Sequence, residues 1–126
     1  MALGLDTITF DCADPVKVAE FWAAAMGFEV VERAPEGAFV ADPSGESKGF
    51  FFQKVPEPKV AKNRVHLDLR PTRSMAEEVE RLLGLGATVQ GRIDVEGGFW
   101  TIMLDPEGNE LCVLRGPEDG WSPDEL

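Results

Sequence analysis

His66 is the only histidine in the chain, and it lies in an alternating stretch, Arg-Val-His-Leu-Asp-Leu-Arg at 64–70. An imidazole can ligate a metal, move a proton near neutral pH or orient a bound molecule. Alternation sends successive side chains to opposite faces of a strand. His66, Asp68 and Arg70 therefore share one face, with Val65, Leu67 and Leu69 on the other. The same rule groups Thr7, Thr9 and Asp11 against Ile8 and Phe10. It groups Phe51 and Gln53 against Phe50 and Phe52, and Glu110, Cys112 and Leu114 against Leu111 and Val113. A sheet face carrying Thr, Asp, Gln, His, Arg, Glu and Cys is wet, or it holds a ligand. The plainer reading is an open sheet with that face in solvent; it suits Thr9, Asp11 and Arg70 better than His66.

The chemistry open to this set is specific. Cys112 can ligate as a thiolate or pack as a small buried hydrophobe. Glu110 or Asp68 can carry a proton, and His66 can serve as general base beside Asp68 or Cys112. The sequence offers no nucleophile–base pair beyond that proximity on neighbouring strands. Trp22 falls on the apolar face of a helix and reads as core. Trp100 either stacks on a ligand or packs in the core, and its strand register leaves both open. Lys54, Lys59, Lys62 and Arg64 make a basic stretch. It is either a solvated linker or a rim that recognises anions.

The elements that must position these residues repeat at a shift of 59 residues. Asp14 and Pro15 suit the cap and first position of a helix that runs through Phe21 and Trp22 to Gly27. A second helix is expected from about Ser74 to Gly84, with Ser74 and Glu77 as a capping box and Met75, Val79, Leu82 and Leu83 as its apolar face. Gly86 then leads into a strand. Strands are expected over 5–11 and near 28–33, 38–42 and 49–55 in the first copy. In the second they fall over 64–70 and near 87–92, 98–104 and 109–115. Each copy carries an Asp-Pro-x-Gly sequence, Asp42 to Gly45 and Asp105 to Gly108, which fits a type I turn. Thr7 and His66 are equivalent under the repeat, as are Gln53 and Cys112.

The predicted class is α+β: two paired β-α-β-β-β modules forming a half-barrel cleft, helices outside. Module one covers about 5–55, a proline-bearing linker 56–63, module two 64–115, and an acidic tail 116–126 reads as a loosely ordered cap or arm. The whole reads as one domain of 126 residues. A formal net charge of −11 excludes nucleic acid and anionic membranes as natural partners and favours cationic ligands. No apolar run reaches membrane-spanning length. The start lacks a basic segment followed by an apolar one, and the two cysteines read as reduced thiols, so the expected location is cytoplasmic.

The opening Asp-Cys-Ala-Asp-Pro with Phe21-Trp22, the Val-His-Leu-Asp-Leu strand and the closing Leu-Asp-Pro-Glu-Gly-Asn-Glu-Leu-Cys-Val-Leu resemble the vicinal oxygen chelate superfamily. Within it they resemble the bacterial glyoxalase-like domains, and the resemblance covers about residues 5–115. It implies one of several activities: glyoxalase I, extradiol dioxygenases, epimerases, the thiol transferase that inactivates fosfomycin, and metal-free proteins that sequester bleomycin. A single-chain half-barrel is often completed by a second subunit, so a homodimer is expected. Family enzymes hold a divalent metal with His and Glu side chains from the first, fourth, fifth and eighth strands. Those positions match Thr7, Gln53, His66 and Cys112, the pairs that the repeat relates. Of the four, His66 alone is a good ligand of the usual kind, so Zn, Ni, Mn or Fe is in doubt and no cofactor is expected. Glu110 or Asp68 would complete a rearranged site only from two residues along its strand. The expected function is small-molecule binding without the usual metal. The alternative is a metal-dependent lyase, isomerase or dioxygenase with His66 as ligand and Glu110 or Asp68 as proton carrier.

Overall fold

The computed structural model describes residues 2–96 and 98–124; positions 1, 97, 125 and 126, the last two in the expected tail, lie outside the described residues. The chain divides between Val60 and Ala61 into two compact units. The first holds β1 (Ile8–Cys12), α1 (Pro15–Met26), β2 (Glu29–Ala34), β3 (Gly37–Ala41) and β4 (Gly49–Lys54). The second holds β5 (Leu67–Leu69), α2 (Met75–Leu85), β6 (Thr88–Val95), β7 (Gly98–Leu104), β8 (Glu110–Val113) and a short 3-10 turn, Pro117–Asp119. Each unit forms one open four-stranded sheet, ordered β1-β4-β3-β2 and β5-β8-β7-β6. In both, the strand before the helix pairs in parallel with the last strand and the other pairings are antiparallel. The β-α-β-β-β repeat read from the sequence is thus the repeat of the fold.

In the first module the Asp14 carboxylate accepts a hydrogen bond from the Lys17 N–H at 3.2 Å, Pro15 opens α1, and Gly27 closes it at φ 70°. Only glycine adopts that left-handed geometry without strain. The helix buries Val18, Ala19, Phe21, Trp22 and Ala23. Against them the sheet presents Phe10, Phe50 and Phe52. Trp22 lies 5.2 Å from Phe10 and 5.6 Å from Phe50, centroid to centroid. These rings fix which face of the sheet is dry and leave Thr9, Asp11, Phe51 and Gln53 on the other.

In the second module Ser74 caps α2 by accepting from the Glu77 N–H at 3.2 Å, while its hydroxyl donates to the Glu77 carboxylate at 3.0 Å. The helix ends at Leu85, one residue beyond the expected Gly84. Met75 and Leu82 are buried, but Leu83 is exposed. Leu83 lies roughly 100° around the helix from Leu82, beyond the edge of the stripe set by 75, 79 and 82. The Thr101 hydroxyl meets the Met75 sulfur at 3.5 Å, which places Thr101 and Met103 on the helix side of β7. Both Asp-Pro-x-Gly turns form, with Gly45 N–H on Asp42 C=O at 3.1 Å and Gly108 N–H on Asp105 C=O at 2.9 Å. Hydrogen bonds from Ser44 hold the exposed Asp42 carboxyl below its usual pKa.

Three expectations change. First, β1 starts at Ile8 and β5 spans only three residues, so Thr7 and His66 each sit just ahead of their strands. Second, Val65, expected against the helix, is 78% exposed. The parallel ladder with β8 begins at Leu67, and residues 61–66 run as irregular backbone. Third, the described part of the tail is tied down rather than loose. The Asp119 carboxylate accepts from the Met75 N–H at 2.7 Å and the Gly116 N–H at 2.9 Å, at the positive end of α2. Arg73 pairs with Glu118, and the Arg70 guanidinium stacks 4.0 Å above the Trp121 ring. Replacing Asp119 with alanine should cost about 1–2 kcal/mol, the usual loss for a helix cap. Urea denaturation measures it, and an unchanged midpoint would show the tail to be idle. Among the described residues no helix is long and apolar enough to cross a membrane.

Candidate functional site

The parallel ladder of β5 and β8 sets Asp68 directly beside Cys112. Their side chains point away from α2, because Leu111 and Val113, the alternate residues, are fully buried beneath it. His66, two residues before Asp68, continues that face. Its Nδ1 lies 3.2 Å from Asp68 Oδ1 and 3.7 Å from Cys112 Sγ. His66 and Asp68 are exposed while Cys112 is only 3% exposed, so the cluster opens to solvent on one side. Ile102 pairs across from Cys112, and Trp100 sits two residues along the same strand on that same face. This register places Trp100 on the same face of the sheet as Cys112 and not on the helix side.

Glu110 belongs to the same face and is 7% exposed. Lys62, from the stretch read as linker, donates to both of its carboxylate oxygens at 2.9 and 2.7 Å. The ion pair answers the question posed by the basic stretch at one position: Lys62 is a partner of the site. All four residues of β8 are buried, where alternation predicted two wet ones, and at Glu110 the ion pair goes with that burial. The sequence signal was a lysine in an otherwise acidic chain, but nothing in it measured the reach across 48 residues.

Burial pushes the Cys112 thiol up to about 11, helped by the negative charges of Asp68 and Glu110 and opposed by Lys62. At neutral pH the sulfur holds its proton and is a poor nucleophile. Alkylation of Cys112 by iodoacetamide in chelator should run about two orders of magnitude slower than that of an unperturbed cysteine, with a rate still rising at pH 10. Peptide mass spectrometry reads this, and a plateau near pH 7 would contradict it.

The other predicted residues lie in the first module. Thr9 and Asp11 stand on β1 beside Phe51 and Gln53 of β4, all on the face turned from α1. Asp11 and Gln53 are exposed. The Thr7 hydroxyl donates to Asp6 at 2.6 Å and lines an open concavity of about 350 Å³ with Asp6, Lys48 and Phe50. The Arg70 guanidinium, besides stacking on Trp121, donates to the Arg115 carbonyl at 2.8 Å. Trp121 and Asp119 are the contributors that the sequence reading missed.

A family model described as glyoxalase-like domain matches residues 7–114. The chain belongs to the glyoxalase-like family. Solved structures agree on the fold of this glyoxalase-like domain. A glyoxalase/bleomycin resistance protein/dioxygenase family enzyme from Burkholderia phytofirmans superposes with TM-score 0.72 at 17% identity, covering 88% of this chain and 97% of that one. A variant fosfomycin resistance protein from Listeria monocytogenes, complexed with Mn(II) and a dihydroxypropylphosphonic acid, gives 0.74 at 16% identity over 99% and 95%. The corresponding protein from Mesorhizobium loti gives 0.69 at 17% identity over 92% and 94%. No curated protein sequence matches the chain.

The donor set at the four positions implied by the family does not fit an oxygen-rich, six-coordinate divalent ion. Such an ion wants carboxylates and other hard oxygens. Thr7 offers a hydroxyl already bonded to Asp6, Gln53 an amide, and Cys112 a protonated thiol. His66 is the one strong donor of the four. None of the four residues, Thr7, Gln53, His66 and Cys112, carries a carboxylate.

Proposed function

We propose that this glyoxalase-like domain binds a small molecule on the polar sheet faces and does so without the metal that the family's four positions usually hold. The observation that carries the reading is the replaced donor set: Thr7, Gln53 and Cys112 stand where His and Glu would be needed. In the second module Trp100 supplies an aromatic surface and His66, Asp68 and Cys112 supply polar contacts; in the first, Thr9, Asp11 and Gln53 form a polar face of their own. With a formal charge of −11, a cationic ligand is favoured over an anionic one. The protein works in this reading as a cytoplasmic homodimer, which sedimentation at micromolar concentration checks.

The test is a thermal-shift screen of cationic small molecules in the presence of chelator. A saturable rise in melting temperature is expected, with quenched tryptophan emission, and Trp100→Ala should weaken it. A compound bound or converted only when metal is restored would overturn the reading in favour of a metal-dependent lyase, isomerase or dioxygenase. One observation weighs against one form of that second reading: Glu110, one of its two candidate proton carriers beside Asp68, has both oxygens engaged by Lys62.

A further inference from the structure

We infer that the open edge of β6 is an interface for a second copy of this chain, the two β6 strands pairing antiparallel about a two-fold axis at Ile93. This is the contact that holds the proposed homodimer together, and it rests on that reading.

β6 is the outer strand of the second sheet, and among the described residues its strand partner is β7 alone. The ladder shifts at Gln90, which leaves residues 91–95 in unbroken register with β7, from Gly91 opposite Ile102 to Val95 opposite Gly98. In an antiparallel ladder every second residue turns its N–H and C=O to one neighbour, and the residues between turn theirs to the other side. The outer side of β6 therefore presents backbone donors and acceptors that another strand can take up. Val95, at the end of the run, is 52% exposed.

Symmetry restricts how two such edges meet. A two-fold axis normal to the sheet keeps every side chain on its own face, so residues that stand opposite must share a face. With the axis at Ile93, that residue meets its own copy, Gly91 meets the partner's Val95, and Arg92 meets the partner's Asp94. Arg92 and Asp94 do share a face, since they stand opposite Thr101 and Phe99 on β7. The Arg92 guanidinium lies 4.8 Å over the Phe99 ring, which keeps it on that face. Neither residue enters an ion pair among the described residues. Two opposite-charge pairs then form across the axis on one face, while Ile93 and Val95 of both chains make an apolar row on the other.

Charge also rejects the adjacent registers. An axis at Arg92 sets that residue on its own copy, and an axis at Asp94 does the same for the carboxylate. Like charges directly opposite destabilise a ladder, so the run specifies one register. Pairing consumes both edges and gives a closed dimer. β2, the outer strand of the first sheet, differs: its ladder shifts in mid-strand at Val31, and Arg33 is paired with Glu20.

The experiment is sedimentation equilibrium of the full-length chain across a micromolar concentration series, with Arg92→Asp and Asp94→Arg each alone and then mixed. Arg92→Asp sets two acidic pairs across the axis and Asp94→Arg two basic ones, so each variant should associate at least about tenfold more weakly than the unaltered chain. Both side chains are exposed, and both variants should keep the fold by circular dichroism. An equimolar mixture recreates both opposite-charge pairs and should form a heterodimer about as tightly as the unaltered chain dimerises. Damage to the fold could not produce that rescue. In the unaltered chain, backbone amides of residues 91–95 should exchange more slowly as protein concentration rises, a reading that needs no variant. Undiminished dimers in both single variants, or amides at 91–95 that ignore concentration, would place the interface elsewhere and leave the homodimer standing. A mixture no more associated than its components would also overturn the inference. An unaltered chain that is monomeric throughout the series would overturn the homodimer and this surface together.

Discussion

Replacing Trp22 with alanine is expected to destabilise the protein by about 3–5 kcal/mol, the range for removing a buried aromatic side chain. The indole is fully buried, and Phe10, Phe21 and Phe50 lie at 5.2, 5.6 and 5.6 Å from it. No neighbour can collapse into the space, since those rings are themselves wedged between α1 and the β1–β4 pair. A domain of ordinary stability has about 5–15 kcal/mol in total, so the variant should lie near the edge of folding at physiological temperature. Trp22→Phe keeps a ring in place and should cost much less. Chemical denaturation followed by circular dichroism separates them. A small loss for Trp22→Ala would show that α1 does not anchor the first sheet, and with it the facing of Thr9, Asp11 and Gln53.

The second large effect concerns Lys62. Lys62→Met should cost about 1–3 kcal/mol. The full penalty for stripping a partner from a buried charge is about 3–5 kcal/mol, and it is discounted here because the lysine side chain is 65% exposed and its gain is screened by water. The sign of the coupling is the sharper test. Lys62→Met with Glu110→Gln removes both charges and should recover most of the loss, so the pair is non-additive. Additive losses would show that the ammonium does not compensate the carboxylate. The single variant should also free residues 61–66, seen as faster backbone amide exchange there.

Much of the fold was legible because it rests on short-range signals. Asp14-Pro15 with Gly27, and Ser74 with Glu77 and Gly86, mark helix ends by capping chemistry that a sequence displays directly. The two Asp-Pro-x-Gly turns likewise need only four residues. Phe50 and Phe52 against Phe51 and Gln53 could be sorted by alternation alone, because α1 covers one face and leaves the other open. What was not legible depends on long-range contact. Alternation failed at β8, where Lys62 seals Glu110 from 48 residues away. It failed at Val65, because only the ladder partner decides where a parallel strand starts. The contact between Arg70 and Trp121 joins residues 51 positions apart, and nothing local in the sequence displays it. Trp100 could be assigned only through its partners: Thr101 bonds to the α2 side, so Trp100 must lie on the face that Cys112 shares.

The central claim is that the family's four metal positions no longer make an oxygen-rich metal centre in this chain, leaving a face for ligand binding. Mn(II) titration followed by electron paramagnetic resonance tests it most directly, since bound and free manganese give distinct signals. The account predicts no stoichiometric Mn(II) site at micromolar protein, and no change on Thr7→Val or Gln53→Ala. A tight six-coordinate Mn(II) signal at one per chain, lost in either variant, would contradict it and restore the enzyme reading.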